Sequence, residues 1–328
     1  MKSLLRLAPL ALALALPGCS AERIPLSPTG PDHAPLLMAF LSERPPSPAF
    51  SSDIWFYDLR GDGPAYLAPN VNSVNVEGPC ALSANGRTMA FFTDRFVLGT
   101  LAHVFLYDVA TATISIPTRI NQLQFVQNPS LSGDGRFLAV HYQVGSAFQL
   151  FVGMEDLVAD TLLQLPNLND PNAANFDPSL NSDGSLIAFA SNRFGTTGAF
   201  DIYLYSVPGD SLIPLPGLNS SAQELSPSIS RDGRYIAFQS GRLGGVGLID
   251  VLVYDRVTRS LLALPGVNTT LSEVHPALSP DGRYLAFATE FEGGRDVRVY
   301  DLRAQRLLRL KGLNDPYFFD YYPVLANP

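Results

Sequence analysis

Five stretches of the chain share one pattern and fall on a fixed beat. Residues Pro178 to Phe189, Pro227 to Phe238 and Pro276 to Phe287 all read Pro, four residues, Asp-Gly, three residues, Ala-Phe, and Pro129 to Val140 and Pro79 to Phe91 are looser copies. The residue before the turn glycine is Asn85, Asp134, Asp183, Asp232 and Asp281, an interval of 49 each time. A strict period of this length marks a repeat architecture, in which each unit is one supersecondary motif that needs its neighbours to bury its apolar face.

Within a unit the alternation is that of strands. In residues 178 to 226 a proline opens the first strand, Asp183-Gly184 turns the chain, and Leu186 to Phe189 is the second strand. Asp201 to Tyr205 alternates as a third, and Ser211 to Leu215 forms a fourth before Asn219 begins the passage to Pro227. The third-strand motif recurs from Asp53, His103, Asp250 and Asp296, with Gln149 to Val152 standing for it in a degenerate third unit. Counting third strands predicts an all-β, six-bladed β-propeller with four antiparallel strands per blade. The ends complement each other: 36 to 41 matches a second strand with no first, and 323 to 326 a first strand with nothing after it. The C-terminal strand is therefore expected to close blade 1, leaving no open seam. The aromatics Tyr317, Phe318, Phe319, Tyr321 and Tyr322 either seal the same join or form a partly exposed patch for a partner or sugar.

The pattern Pro-x-Leu-Ser-x-Asp-Gly-Arg-x-x-Ala-Phe, followed by Asp-Ile-x-x-Tyr-Asp, resembles the WD40-like repeats of the TolB-like propeller family over about residues 35 to 326. The chain departs from that family in having no room for its separate N-terminal domain between Cys19 and Leu36, and its leader makes a lipoprotein form the expectation. It comes without the catalytic domain and nucleophile elbow of the peptidases that carry similar repeats.

The leader is different material. Lys2 and Arg6 precede an Ala/Leu run, and Leu16-Pro17-Gly18-Cys19 resembles a bacterial lipobox. The expected organisation is a lipoprotein signal peptide over 1–18, a lipid-anchored tether over 19–34 and a propeller over 35–328, with Cys19 the lipid (palmitate) attachment residue. Serine rather than aspartate at position 20 favours the outer membrane, facing the periplasm. Of the two cysteines, Cys80 then lacks an intramolecular partner and reads as a buried, inert thiol. Losing Lys2 and Arg6 takes the formal charge from −8 to about −10, with Lys311 the remaining lysine, which argues against nucleic acid.

Loops after second and fourth strands open on one face of the disc, with the Asp-Gly turns on the other. The first face gathers Asn72, Asn121, Asn169, Asn219, Asn268 and Asn314, the acids or amides Glu77, Gln127, Asp177, Glu224, Glu273 and Asp320, and Arg44, Arg95, Arg193 and Arg242. Two readings stand for each set. The asparagines either hold their own loops, bonding backbone two residues on, or touch a ligand. The charged residues either pair between neighbouring blades or form a binding rim, whose candidates are Arg95, Arg193, Arg242, Glu224, Glu273 and His275. The Asp-Gly turns are too poor in oxygen ligands for calcium, and His33, His103, His141 and His275 are too scattered for zinc. No metal, cofactor or catalytic residue is therefore assigned.

The function expected is a monomeric, non-catalytic binding or scaffold propeller for a periplasmic or envelope protein, or a cell-wall polymer. The alternative is a small hydrolase or lyase acting on a glycan or peptide at the channel. A His or carboxylate pair with strongly shifted pKa in the funnel would favour the enzyme.

Overall fold

The computed structural model describes residues 36–45, 52–61, 63–73, 75–94, 103–145, 149–193, 199–242, 244–291, 294–314 and 318–326. The leader, tether and Cys19 lie outside these, as do Arg95 and Tyr317. Twenty-four strands among the described residues, β1 to β24 in chain order, form six antiparallel sheets of four. The innermost strands are β4 (Glu77–Leu82), β8 (Gln124–Leu131), β12 (Asn175–Leu180), β16 (Glu224–Ile229), β20 (Ser272–Leu278) and β24 (Asp320–Ala326). They touch in sequence around a central channel, with β24 meeting both β20 and β4. This is a six-bladed β-propeller.

Closure runs as the ends of the sequence predict. β24 pairs antiparallel with β1 (Leu37–Ser42), Leu37 opposite Ala326 and Ser42 opposite Asp320. Phe319 bridges to Arg295 of the last blade and accepts a bond from Glu43 N–H of the first, so this segment spans the join.

The core lies between blades. Second strands supply the fully buried Phe40, Phe91, Phe189, Phe238 and Phe287, and third strands supply Tyr107, Tyr205, Tyr254 and Tyr300. One apolar cluster shows the principle: Ala190 and Leu204 of one blade pack with Phe238 and Tyr254 of the next. Each sheet therefore buries both faces against its neighbours, and the polar residues withdraw to the strand ends.

The repeat motif's polar residues build the turns. Asp134 Oδ1 accepts from Arg136 N–H and Ser132 Oγ–H, and Asp232 and Asp281 repeat the arrangement. Asn85 takes the same role, and Asp183 accepts from Ser185. The following glycines have φ between 65° and 76°, a conformation that costs glycine little. The turn arginines then reach the aspartates that end the third strands, Arg136 to Asp156 and Arg234 to Asp255. Backbone bonds pass from turn to turn, Ala84 to Gly133, Gly133 to Ser182, Ser182 to Arg231 and Arg231 to Pro280.

Fourth strands are shorter than the sequence suggests, two or three residues each, as in Ser211–Ile213. The prolines that follow, such as Pro214 and Pro216, have no N–H to give, and a short edge strand invites little pairing with other chains.

Candidate functional site

The six recurrent asparagines do one job. Ile202 N–H donates to Asn219 Oδ1 at 2.9 Å, and Asn219 Nδ2 returns a bond to Ile202 carbonyl at 2.9 Å. Asn72, Asn121, Asn169, Asn268 and Asn314 hold the third strands of their own blades in the same two-bond clasp. The shared partner is the strand 17 or 18 residues back, and Asn121 also donates to the Pro117 carbonyl of its own loop.

The proposed rim residues are placed inside the blades. Glu224 is fully buried and accepts from Ser220 Oγ at 2.5 Å, Ser240 Oγ at 2.9 Å and Arg242 at 3.3 Å. Arg242 also reaches Ser240 and the Leu218 carbonyl, which lies just before the Asn219 clasp. Arg193 is buried and makes the same set of bonds, to Ser191, the Leu168 carbonyl and Asn175. Arg44 repeats it with Ser42, the Leu313 carbonyl and Asp320. Pairing is thus within a blade, and each arginine also secures the incoming connection. Glu273 is buried without an arginine, accepting from Thr269 at 2.7 Å, and burial raises its pKa. Units three and six have Val144 and Phe291 where the other four have arginine.

His275 is different, because it lines the channel. The residue before each repeat proline points there: Asn128, Asp177, Ser226, His275 and Tyr322 all line one cavity of about 150 Å³. In blade two Pro79 takes this place, and Cys80 stands where the other blades have proline, which corrects the alignment of that looser copy. The inner strands bulge here. Phe176 pairs with Ala190 but Ser179 with Ala188, so one residue is extra. Asn128, Asp177, Ser226, His275 and Tyr322 accordingly have φ between 47° and 52°, an uncommon conformation outside glycine. A bulge re-aims its side chain, and here it aims five side chains into the channel.

The ring is where the blades disagree. Six equivalent positions hold six different residues, one of them charged. Asn128 Nδ2 donates to Asp177 Oδ1 at 2.5 Å and Ser226 Oγ to Asp177 Oδ2 at 3.2 Å. Opposite, the His275 ring stacks on Tyr322 with centroids 3.7 Å apart. Burial, reinforced by Arg295, pushes His275 down to about 3, so its ring is neutral at neutral pH. Burial, with the charge of Asp177, pushes the Tyr322 hydroxyl up to about 12.

A second histidine, His141, lies behind Asp177, and burial lowers its pKa against the acid's opposing charge. Its Nδ1 accepts from Asp177 N–H at 3.4 Å, while the Asp177 carboxylate is 3.9 Å away. A catalytic His-Asp pair needs the carboxylate to accept a ring N–H. This one is arranged otherwise. Among the described residues no group of three or more His, Cys, Asp or Glu is placed to hold a metal ion. Cys80 is buried and burial raises its thiol to about 12, so it stays protonated.

Fold and ring together define a six-bladed propeller with a polar channel mouth. Its particular architecture is TolB-like: the chain superposes on TolB from Acinetobacter baumannii with TM-score 0.66 at 20% identity, covering 89% of this chain and 66% of that one. It is similar to a putative TolB from Agrobacterium tumefaciens (TM-score 0.60, 13% identity, 89% and 99% covered) and to a chain of a nidogen/laminin complex (0.58, 9%, 89% and 98%). No protein-family model and no curated protein matches the sequence.

Proposed function

We propose that this protein is a non-catalytic binding propeller, lipid-anchored at Cys19 on the periplasmic side of the outer membrane, that holds an envelope protein at its channel mouth. The carrying observation is the ring itself. Where the fold needs a residue the blades agree, as at the six asparagines, and where they differ is the wall of the mouth. The likeness to TolB structures and to a chain of a nidogen/laminin complex supports a binding role. Glycosidic chemistry would ask for two carboxylates facing one bond. The ring offers Asp177, and Glu77, Glu224, Glu273 and Asp320 are buried in the blades.

Envelope extracts passed over the immobilised protein test the reading with three baits. These are wild type, Ser226→Arg to fill the mouth, and Val158→Arg on an exposed turn of the other face. Wild type and Val158→Arg should retain the same specific protein, and Ser226→Arg should lose it. Identical capture by all three would sink the assignment of the mouth. Reversing Arg193 would be a poor test, because its buried bonds make misfolding the expected outcome.

A further inference from the structure

We infer that the channel-mouth ring is a receptor for a single primary ammonium group, the lysine side chain of the protein partner, seated between Asp177 and the His275–Tyr322 stack. This rests on the binding role proposed above and specifies its chemistry.

The argument starts from donors and acceptors. Asn128 gives one amide hydrogen and Ser226 its hydroxyl hydrogen to Asp177. A carboxylate offers about four lone-pair sites and these bonds use two. The Asp177 side chain keeps 19% exposure where it lines the cavity. Among the described residues no lysine or arginine lies within ion-pair distance of it, in contrast to Asp156, Asp255 and Asp301.

The second observation is independent. His275, on the same cavity, has a buried Nδ1 with no hydrogen-bond partner. A buried polar atom left unpaired costs free energy, and a neutral ring nitrogen can accept from a guest. Tyr322, stacked on His275, adds an aromatic wall to the cavity. Arg295, the cation nearest that wall, is paired with Glu290 at 2.5 Å. Acceptors remain open on Asp177 and at His275 Nδ1, and the sole formal charge on the ring is negative. That chemistry selects a cation and disfavours a phosphate or carboxylate.

Size narrows the choice. About 150 Å³ is the space of roughly five water molecules. That suits the end of a linear side chain.

The test uses n-butylammonium, 1-butanol and calcium chloride at constant ionic strength, then a capped Gly-Gly-Lys-Gly-Gly peptide and its norleucine counterpart. Binding is read from the ring NMR signals of His275 and Tyr322. Saturable shifts are expected with n-butylammonium and the lysine peptide and not with 1-butanol or the norleucine peptide. Asp177→Asn should weaken n-butylammonium binding roughly tenfold or more, the loss expected for a charge-assisted bond, and Asp177→Glu should restore part of it. Equal response to ammonium and alcohol, indifference to Asp177→Asn, or occupancy by calcium alone would each overturn the inference. The wild-type comparison decides even if the Asn variant does not fold. A wild type that captures an envelope protein yet ignores ammonium would overturn this inference and leave the binding role standing.

Discussion

An amide that both donates to and accepts from one backbone residue does the work of a neighbouring strand, and Asn219 does this for Ile202. Removing it strands a half-buried N–H and C=O together. Asn219→Ala should lower stability by about 2 kcal/mol, measured by denaturant unfolding, and Asn219→Asp, which keeps the acceptor and loses the donor, should fall between. A loss below the error of the measurement would show the clasp to be incidental. A second prediction at this scale concerns pH. Burial pushes the Asp320 carboxyl up to about 6 from 3.8, against the opposing pull of Arg44. The folded state therefore holds this proton more tightly, so the contribution is fully present below pH 3.8 and is lost as pH rises through about 6. The melting temperature of Asp320→Asn relative to wild type should climb between pH 4 and 7, and a flat difference across that window would refute the assignment. The asparagines were legible in the sequence as parts of the fold because they recur six times. Their partners were not, since nothing in a loop sequence says that its amide will reach a strand 17 residues back.

At the scale of elements, the blade count, the Asp-Gly hairpins and the closing strand could all be read from periodicity. Those features are dictated by local turn chemistry and alternation, which a sequence displays directly. The ring could not be read that way. It depends on a bulge that adds one residue to the inner strand, and a repeat alignment hides the bulge because every copy carries it. Blade two shows the effect: Pro79 looked like the repeat proline, whereas register gives that place to Cys80. A signal did exist, in that the residue before the proline is different in every unit. The rim arginines misled for a related reason. A loop arginine beside glycines suggests exposure, yet Arg193 and Arg242 fold back onto a serine two residues earlier and a carbonyl of the incoming connection. One element admits a direct test. Ending the chain after Asn314 removes β24 and leaves β1 as an unpaired inner edge. Such a protein should lose cooperative melting and self-associate, seen by calorimetry and size-exclusion chromatography; a stable monomer would mean that closure contributes little.

On the scale of the whole molecule, the two faces of the propeller are held by different means. On the turn face, backbone bonds link the turns of blades two to six in series, and the asparagine clasps and arginine anchors secure the opposite face from within. Rigidity of that kind keeps a channel wall of strained, bulged residues in place, and strain of about 1 kcal/mol or more per residue persists only where surrounding structure fixes it. The seam has a geometric consequence of its own. Because Leu37 lies opposite Ala326, the described chain enters and leaves the propeller side by side, at the end of the blade where the other blades carry their Asp-Gly turns. A tag or a fused enzyme joined directly at Leu36 or Ala326 would be slung from the back of the disc, leaving the mouth an unobstructed line of approach.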